Sequence, residues 1–534
     1  MRRQATRTLC AVREESGFVL FQVLAFSMLL AMITFALANL SLSEYASVKT
    51  VDRGSRAFFI ADGAVERAIT VLRADSNWSD NLGADQNANS SSWQPLYDRF
   101  QAGGPGNALN QAYPAGGDPA AGQYSVYIRR PDPNSGLNPV DNIYIRAIGQ
   151  ASSASRAVEV LLHRMSPLDF SVYAAQPLTS GNGGGSVTMH GSAYFYQDVG
   201  SGPVRTTVYN DRQILSGDAG PYLNQVYVRG TLNMSTGNAL IGSQTQPMYG
   251  VHATNIDLLN GGGQSLFTQE MDNTVPSIPF PNVQQFITAS IANGSYGNLL
   301  SSNQQQMAIC TKSGNMWNQT FTPDLTFGAT YFVVPTQSYA TCDTNVTAAA
   351  NNMLIWNPGQ AVSLQLNSAF KDTPIAVPGM VNVSQNITYS GTGTFLVESI
   401  DGHTGLNSTG GQILATVPAS GSACGFAGPS TMPQTDLLGF IVASNVAMQG
   451  SSSACAGEQD VVVVAGSSGS STFSSTNSVQ LYGLLIANQI DASQNPAFYQ
   501  MPDMLQFLPA PIYQLATSNA TMPVVIRQWR ELMY

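Results

Sequence analysis

Apolar residues follow three rhythms along this chain, and each rhythm predicts a different element. From Ser16 to Ser43 there is no charged residue, and Phe18 to Leu42 is mostly Leu, Phe, Ala, Val and Met. About 20 such residues cross a bilayer core as one helix. A cleavable secretory signal has a shorter apolar core of about 7–15 residues. Arg2, Arg3, Arg7 and Arg13 precede the run and place its start on the cytoplasmic side. Beyond it, Val48, Val51, Ser55, Phe58, Val65, Ile69 and Leu72 recur at three- and four-residue steps. That spacing predicts an amphipathic continuation. No Pro interrupts Phe18 to Asp75, so a single helix of about 85 Å is expected at 1.5 Å per residue.

The second rhythm is strict alternation. Tyr124–Arg130, Asn142–Gly149 and Arg156–His163 read as strands separated by the turn-rich Pro131–Pro139 and Ala151–Ser155. His163, at a strand end beside Arg164, reads as a surface residue. Residues 76–121, rich in Gly, Pro, Asn, Asp and Ser, read as loop, and Val524–Leu532 as one more strand. The third rhythm fills residues 166–515 with short apolar or alternating runs, broken by Gly, Asn and Ser. Examples are Gln225–Met234, Gly393–Glu398 and Gly439–Met448. Such runs suit a sandwich, a barrel or a stacked solenoid, and the absence of a strict period favours an irregular β-solenoid over a regular repeat array. Phe286 to Gln304 has helix-like spacing.

Charge sharpens this division. Only 10% of the 534 residues are Asp, Glu, Lys or Arg, against about 25% in soluble proteins generally. Net charge is −10 and there are four His, which argues against a generally basic nucleic-acid-binding protein and a His-rich metal enzyme. Between Met165 and Val525 stand five basic residues against seventeen acidic ones. Helices supported by ion pairs need more charge than that, so this stretch is expected to be β.

The residues around the long helix match a family. Glu14-Glu15-Ser16-Gly17 followed by Phe18-Val-Leu-Phe resembles a class III leader. Arg56 to Ala68 resembles the amino-terminal region of PilX-type minor type IV pilins, or pseudopilins. The resemblance covers roughly residues 14–75. It implies cleavage by prepilin peptidase after Gly17 and N-methylation of Phe18. It also implies an α+β pilin fold, in which a long helix packs on an antiparallel meander. The "Trp-Arg-Glu" ending is also PilX-like, so the last strand is expected to complete that sheet. The organisation is then a leader (1–17), a membrane half-helix (18–42), an amphipathic half (43–75), a head loop and meander (76–165), a mainly β insertion resembling a solenoid (166–515) and a closing strand (516–534). The implied partners are other minor and major pilins, prepilin peptidase and the inner-membrane assembly platform. The implied route runs from inner membrane through periplasm to an extracellular pilus. One departure is Gln22, where most pilins carry a Glu that pairs with the neighbouring subunit's terminal ammonium. Either this subunit sits at a filament tip, with no earlier neighbour to neutralise, or the Gln amide partly replaces the carboxylate.

With Cys10 in the leader, Cys310, Cys342, Cys424 and Cys455 remain outside the membrane, an even number that reads as two disulfides. Three pairings are possible. The sequential one closes two local loops, each contributing about 3–4 kcal/mol on the chain-entropy argument. No Cys-x-x-Cys spacing points to zinc, and no cofactor is implied. Glu270/Asp272, Glu398/Asp401 and Glu458/Asp460 are the carboxylate pairs a polysaccharide-cleaving enzyme would need, and they read as solvated turn residues. There is no Gly-x-Ser-x-Gly, phosphate-binding loop or His-Glu-x-x-His. A non-enzymatic role follows, in one of two forms. A resemblance to large competence pilins, whose head carries a β-solenoid insertion, implies DNA uptake with the insertion as ligand-binding module. The alternative is a pilus-tip adhesin for surfaces or glycans. DNA would need a local basic patch. Arg205, Arg212 and Arg229, with Tyr209 and Tyr227 able to stack on bases, are the candidates within the insertion.

Overall fold

The computed structural model describes residues 2–74, 93–98, 107–108, 110–112, 122–131, 141–181, 184–211, 223–258, 266–293, 308–313, 316–321, 331–332, 344–348, 354–358, 362–366, 371, 374–377, 379–398, 404–415, 436–450, 458–466, 471–500, 508–517 and 522–532. The chain divides into two compact units. One comprises Met1–Asp132, Asn142–His163 and Ile526–Tyr534, and the other Pro133–Asp141 with Arg164–Val525.

In the first unit, helix α1 spans Arg2–Ala74 without a break. It is long and apolar enough to cross a membrane, with a mean hydropathy of 2.3 in its most apolar window. Every residue from Phe18 to Thr50 is exposed. Burial begins at Gly54 and continues through Ala57, Ile60, Ala61, Ala64, Val65, Ala68, Ile69 and Leu72. Val48 and Val51, which the periodicity assigns to the packed face, are exposed, because this unit's sheet reaches the helix only from Gly54 onward. The sheet consists of β1 (Gln94–Pro95), β2 (Gln123–Arg129), β3 (Asn142–Ala151), β4 (Ala154–Arg164) and the C-terminal strand Val524–Leu532, in that spatial order. β1 to β4 pair antiparallel.

Alternation assigns the two faces of β3. Ile143, Ile145 and Ala147 are fully buried, while Tyr144 and Arg146 point the other way and are half-buried. Gly149 continues the buried face. A Cβ there would lie 2.1 Å from the Ala57 carbonyl oxygen and 2.5 Å from the Ala61 nitrogen. The helix backbone thus rests directly on the sheet, and the small stripe Gly54, Ala57, Ala61, Ala64 and Ala68 permits that approach. Phe58 meets Trp529 of the last strand edge-on, with ring centroids 5.9 Å apart. His163 is buried, against the surface expectation, with Nδ1 3.1 Å from Asn142 Oδ1.

The second unit is built mostly from short strands in parallel pairs. Its longest sheet runs in space from Thr268–Asp272 through Met248–Asp257, Gln225–Asn233, Ala193–Phe195, Val172–Ala174, Gln480–Ala487, Glu458–Ala465, Leu437–Val442, Thr392–Val397 and Ile375–Val377 to Tyr331–Phe332. The register puts Ile375, Phe395, Phe440, Val463, Leu485, Val172, Ala193, Val226 and Val251 in one row, all fully buried. Two further sheets accompany it. Between Ile375 and Ala415 the chain visits the three in a repeating order. Ile375–Val377, Gly379–Val383 and Ile387–Ser390 are followed by Thr392–Val397, Thr404–Ser408 and Ile413–Ala415, each paired parallel with its counterpart in the preceding set. One hydrophobic cluster fills the space among the sheets. A second covers the outer face of the longest sheet, where helices α2 (Val283–Asn293) and α3 (Ala510–Thr517) pack. α2 occupies the start of the expected 286–304 helix, and residues 294–304 lie outside the described residues.

Candidate functional site

The processing and assembly residues sit on α1. Gly17 and Phe18 lie within the continuous helix, and Phe18 is 63% exposed. Gln22 is exposed one turn further on, flanked by Phe21 and Val23, which are also exposed. Nothing in the described fold covers this stretch, so the helix presents bare apolar surface to its surroundings.

The insertion's candidate residues do not converge. Arg205 lies on β5 (Val204–Tyr209) and is exposed. Its register partner is Ser186. Arg229 lies on β6 (Gln225–Asn233), one residue past the Val228–Phe195 pair, and so beside Tyr196. Ser186 lies on the strand Gly185–His190 and Tyr196 just past Ala193–Phe195, so the register sets Arg205 and Arg229 at different positions along the sheet. Arg229 is already engaged. Its guanidinium stacks over the Tyr196 ring at 4.4 Å and hydrogen-bonds the Tyr196 hydroxyl. Arg212 lies outside the described residues. Tyr227 is buried in a ladder of rings, 6.3 Å from Tyr194 on one side and 4.5 Å from His252 on the other, and its hydroxyl donates to Gln225. Both of its faces are therefore occupied.

Tyr209 ends a second ladder. Tyr482, Tyr499, His190 and Tyr209 follow at centroid spacings of 4.5, 4.4 and 5.1 Å. The next position in register is Gly242, whose amide bonds the Val208 carbonyl at 2.8 Å. With φ at +70° and the Phe267 carbonyl oxygen 2.3 Å from any Cβ, this position excludes a side chain that would extend the ladder. Tyr209 is half-buried.

The carboxylate pairs prove different from solvated turns in one case. Glu458 and Asp460 are 3% and 2% exposed and stand in the strand Glu458–Ala465. Gln459 and Asp460 close the edge of the sheet that ends at Ile413–Ala415, with the Glu458 side chain beside Asp460. The Ile413 amide donates to Gln459 Oε1 at 2.9 Å and the Ala415 amide to Asp460 Oδ2 at 3.0 Å. An open strand edge is a template for unwanted pairing, and here side chains take the place of the missing strand. Burial pushes Glu458 up to about 7 and holds Asp460 well above the usual carboxylate range, the nearby Glu458 charge adding to the effect. Asp460 is spent on closing an edge, and both carboxyls are shut off from solvent. Burial also raises Glu398, and Asp401 lies outside the described residues. Glu270 is exposed, and Asp272 accepts from His252 Nδ1 at 2.8 Å. Cys310 is placed on the strand Ala308–Ser313. Cys342, Cys424 and Cys455 lie outside the described residues, as do the pairings that involve them. Among the described residues, no group of three or more His, Cys, Asp or Glu is arranged to hold a metal.

A basic, aromatic-rich face lies instead on the head sheet, on the side away from α1. Arg129 packs its guanidinium 4.9 Å from the Trp93 centroid and 4.5 Å from that of Tyr144. Arg146 lies 4.1 Å over the same Trp93 ring. Arg146 also donates to Glu159 Oε2 at 2.7 Å, and Arg530 donates to the other oxygen. Burial alone would raise the Glu159 carboxyl, but hydrogen bonds and charge from Arg530 and Arg146 outweigh it and hold the group below its ordinary value. A signal for this face was present in the sequence. Tyr127-Ile-Arg129 and Tyr144-Ile-Arg146 repeat one pattern on adjacent strands; alternation puts each Tyr on the face of its own Arg, and the register that pairs Tyr127 with Arg146 brings both pairs to one face.

No family model and no curated protein matches the chain. Among solved structures it is similar to the competence-associated pilin ComZ from Thermus thermophilus, at 15% identity and a TM-score of 0.38, with 90% of this chain and 97% of that chain covered.

Proposed function

We propose that this chain is a minor pilin of a type IV pilus, located at or near the filament tip, that supports pilus assembly and DNA uptake. The observation that carries the reading is α1. From Phe18 to Leu42 it is apolar and unburied, and from Gly54 it packs backbone-to-backbone on an antiparallel sheet. A helix with one bare apolar half and one packed half suits a subunit held first in a bilayer and then among the helices of a filament. Processing after Gly17 by prepilin peptidase would leave Phe18 at the new terminus. Gln22 would then sit among apolar neighbours without charge, which suits a tip subunit with no ammonium to neutralise. Major and minor pilins and the inner-membrane assembly platform are its partners, and the route ends on an extracellular pilus.

In this reading the 166–515 insertion is an irregular β-solenoid. The parallel pairing, the recurring order of the three sheets and the nine-residue buried row support it. In this reading the role is not enzymatic, and it is supported by Asp460 and Gln459 accepting from backbone amides at a sheet edge. Intact-mass and amino-terminal analysis of the protein from cells with a pilus system tests the proposal. The expected product begins at N-methylated Phe18 and is lost in Gly17→Glu. An uncut terminus, or cleavage near residue 43, sinks the pilin reading. Normal incorporation and unchanged location of a Gln22→Glu variant removes the tip assignment alone.

A further inference from the structure

The insertion is acidic, its Arg205 and Arg229 stand apart, and Arg229 is occupied by Tyr196. The head sheet has what the insertion lacks. Across its outer face, Arg129, Arg146 and Arg530 flank the Glu159 carboxylate, which is shared by two of them. Arg129 has no ion pair among the described residues. It is wedged between Trp93 and Tyr144, and its Nε is buried without a hydrogen-bond acceptor. Aromatic neighbours exclude water from a guanidinium and strengthen its attraction for an anion at its terminal N–H groups. Arg129 and Arg146 sit on adjacent strands, two residues out of direct register. Their diagonal separation is about 7–8 Å, close enough for neighbouring anionic groups on one chain to reach both. Arg530 extends the row and is 53% exposed.

We propose that this outer face of the head sheet, centred on Arg129, is a binding surface for nucleic acid through its phosphate backbone. The surplus of cations supplies attraction, and the guanidinium fork matches phosphate oxygens better than an ammonium does. The interleaved Trp93, Tyr127 and Tyr144 provide flat apolar ground beside the charges, as polyanions carrying bases require. The assignment rests on the DNA-uptake reading above but moves the contact from the insertion to the head.

The test is titration of a fluorescein-labelled 30-base-pair duplex with the full chain in detergent micelles, from 50 to 200 mM salt. Arg129→Ala and Arg530→Ala are each expected to weaken binding and to reduce the slope of log affinity against log salt by about one. Arg129→Lys should restore much of the slope, since charge returns without the fork. Arg205→Ala should bind as the parent does. Arg129 is chosen because its removal strands no carboxylate, so folding is preserved, and Arg530→Ala leaves Arg146 on Glu159. Three results overturn the proposal: no salt-dependent binding by the parent, an unchanged slope in the Arg129→Ala/Arg530→Ala double variant, or loss of binding in Arg205→Ala. Equal competition by polyglutamate of matched charge would also overturn it, since phosphate recognition would then be absent. Amino-terminal analysis of the same preparation separates this outcome from failure of the pilin reading.

Discussion

Each of the two units buries carboxylates in a β-sheet, and they treat them in opposite ways. Glu159 in the head is met by two guanidinium groups and stays ionised below the normal range. Glu458 and Asp460 in the insertion are buried against each other, with one backbone amide on Asp460, and burial makes them hold on to protons. The difference follows from composition. The head's alternating strands deliver Arg to the same face as Glu159, whereas residues 458–466 lie in a stretch with no Lys or Arg between Lys371 and Arg527. A buried charge needs a counter-charge or must be neutralised, and no cation stands among the groups that act on Glu458 and Asp460.

The largest effect that separates the units is in packing. Phe440→Ala removes a fully buried ring stacked on Phe395 at 5.4 Å and should cost about 3–5 kcal/mol. Hydrogen-exchange protection should fall across 392–397, 437–442 and 458–465, and a loss confined to residues 142–164 would contradict the buried row. Glu159→Gln comes next, at about 2 kcal/mol, because it leaves Arg146 and Arg530 without their shared partner. Denaturant melts that track the head should show it, and an unchanged midpoint would mean that the two cations rely on solvent.

The pH responses sharpen the contrast because their signs differ. Glu159 has a folded pKa below its unfolded value. Its stabilisation is present above about pH 4.5 and is lost as pH falls through the folded pKa. Glu458 and Asp460 have raised folded values. The folded insertion binds more protons than the unfolded chain, so stability is highest in mild acid and declines as pH rises from about 4.5 toward about 7. Hydrogen exchange at pH 5 and pH 8 should therefore show 458–466 loosening at the higher pH while 142–164 stays protected. Glu458→Gln should flatten that response, and a parent with no pH dependence in this segment would refute the protonated pair. The smallest effect expected is from Trp529→Ala. This removes an edge-on contact with Phe58 from a 45% exposed residue and should cost about 1 kcal/mol by thermal denaturation.

Local patterns explain what was readable beforehand. The long helix follows from an uncharged apolar run with no Pro. β2, β3, β4 and the last strand follow from alternation at Tyr124–Arg130, Asn142–Gly149, Arg156–His163 and Val524–Leu532. The point where α1 meets its sheet was not readable from Val48 and Val51, because amphipathic spacing continues past the region that the sheet covers. The useful sign was the row of small residues opposite Gly149. The candidate site was less legible. Arg205 and Arg229 are close in sequence, but parallel register separates them, and Tyr227 is claimed by neighbouring rings.

By itself the sequence determined the elements with local causes: the membrane-length helix, the alternating head strands and the β character of an insertion poor in charge. Tertiary structure alone decided which side chains of different strands share a face. Arg129, Trp93 and Arg530 are brought together from three distant segments by strand order. Glu458 and Asp460 become proton-holding because folding buries them side by side, which outweighs the Ala415 amide that favours an ionised Asp460. Period and composition act over a few residues, whereas register and burial are set by chain segments hundreds of residues apart, and those determine where charge is held.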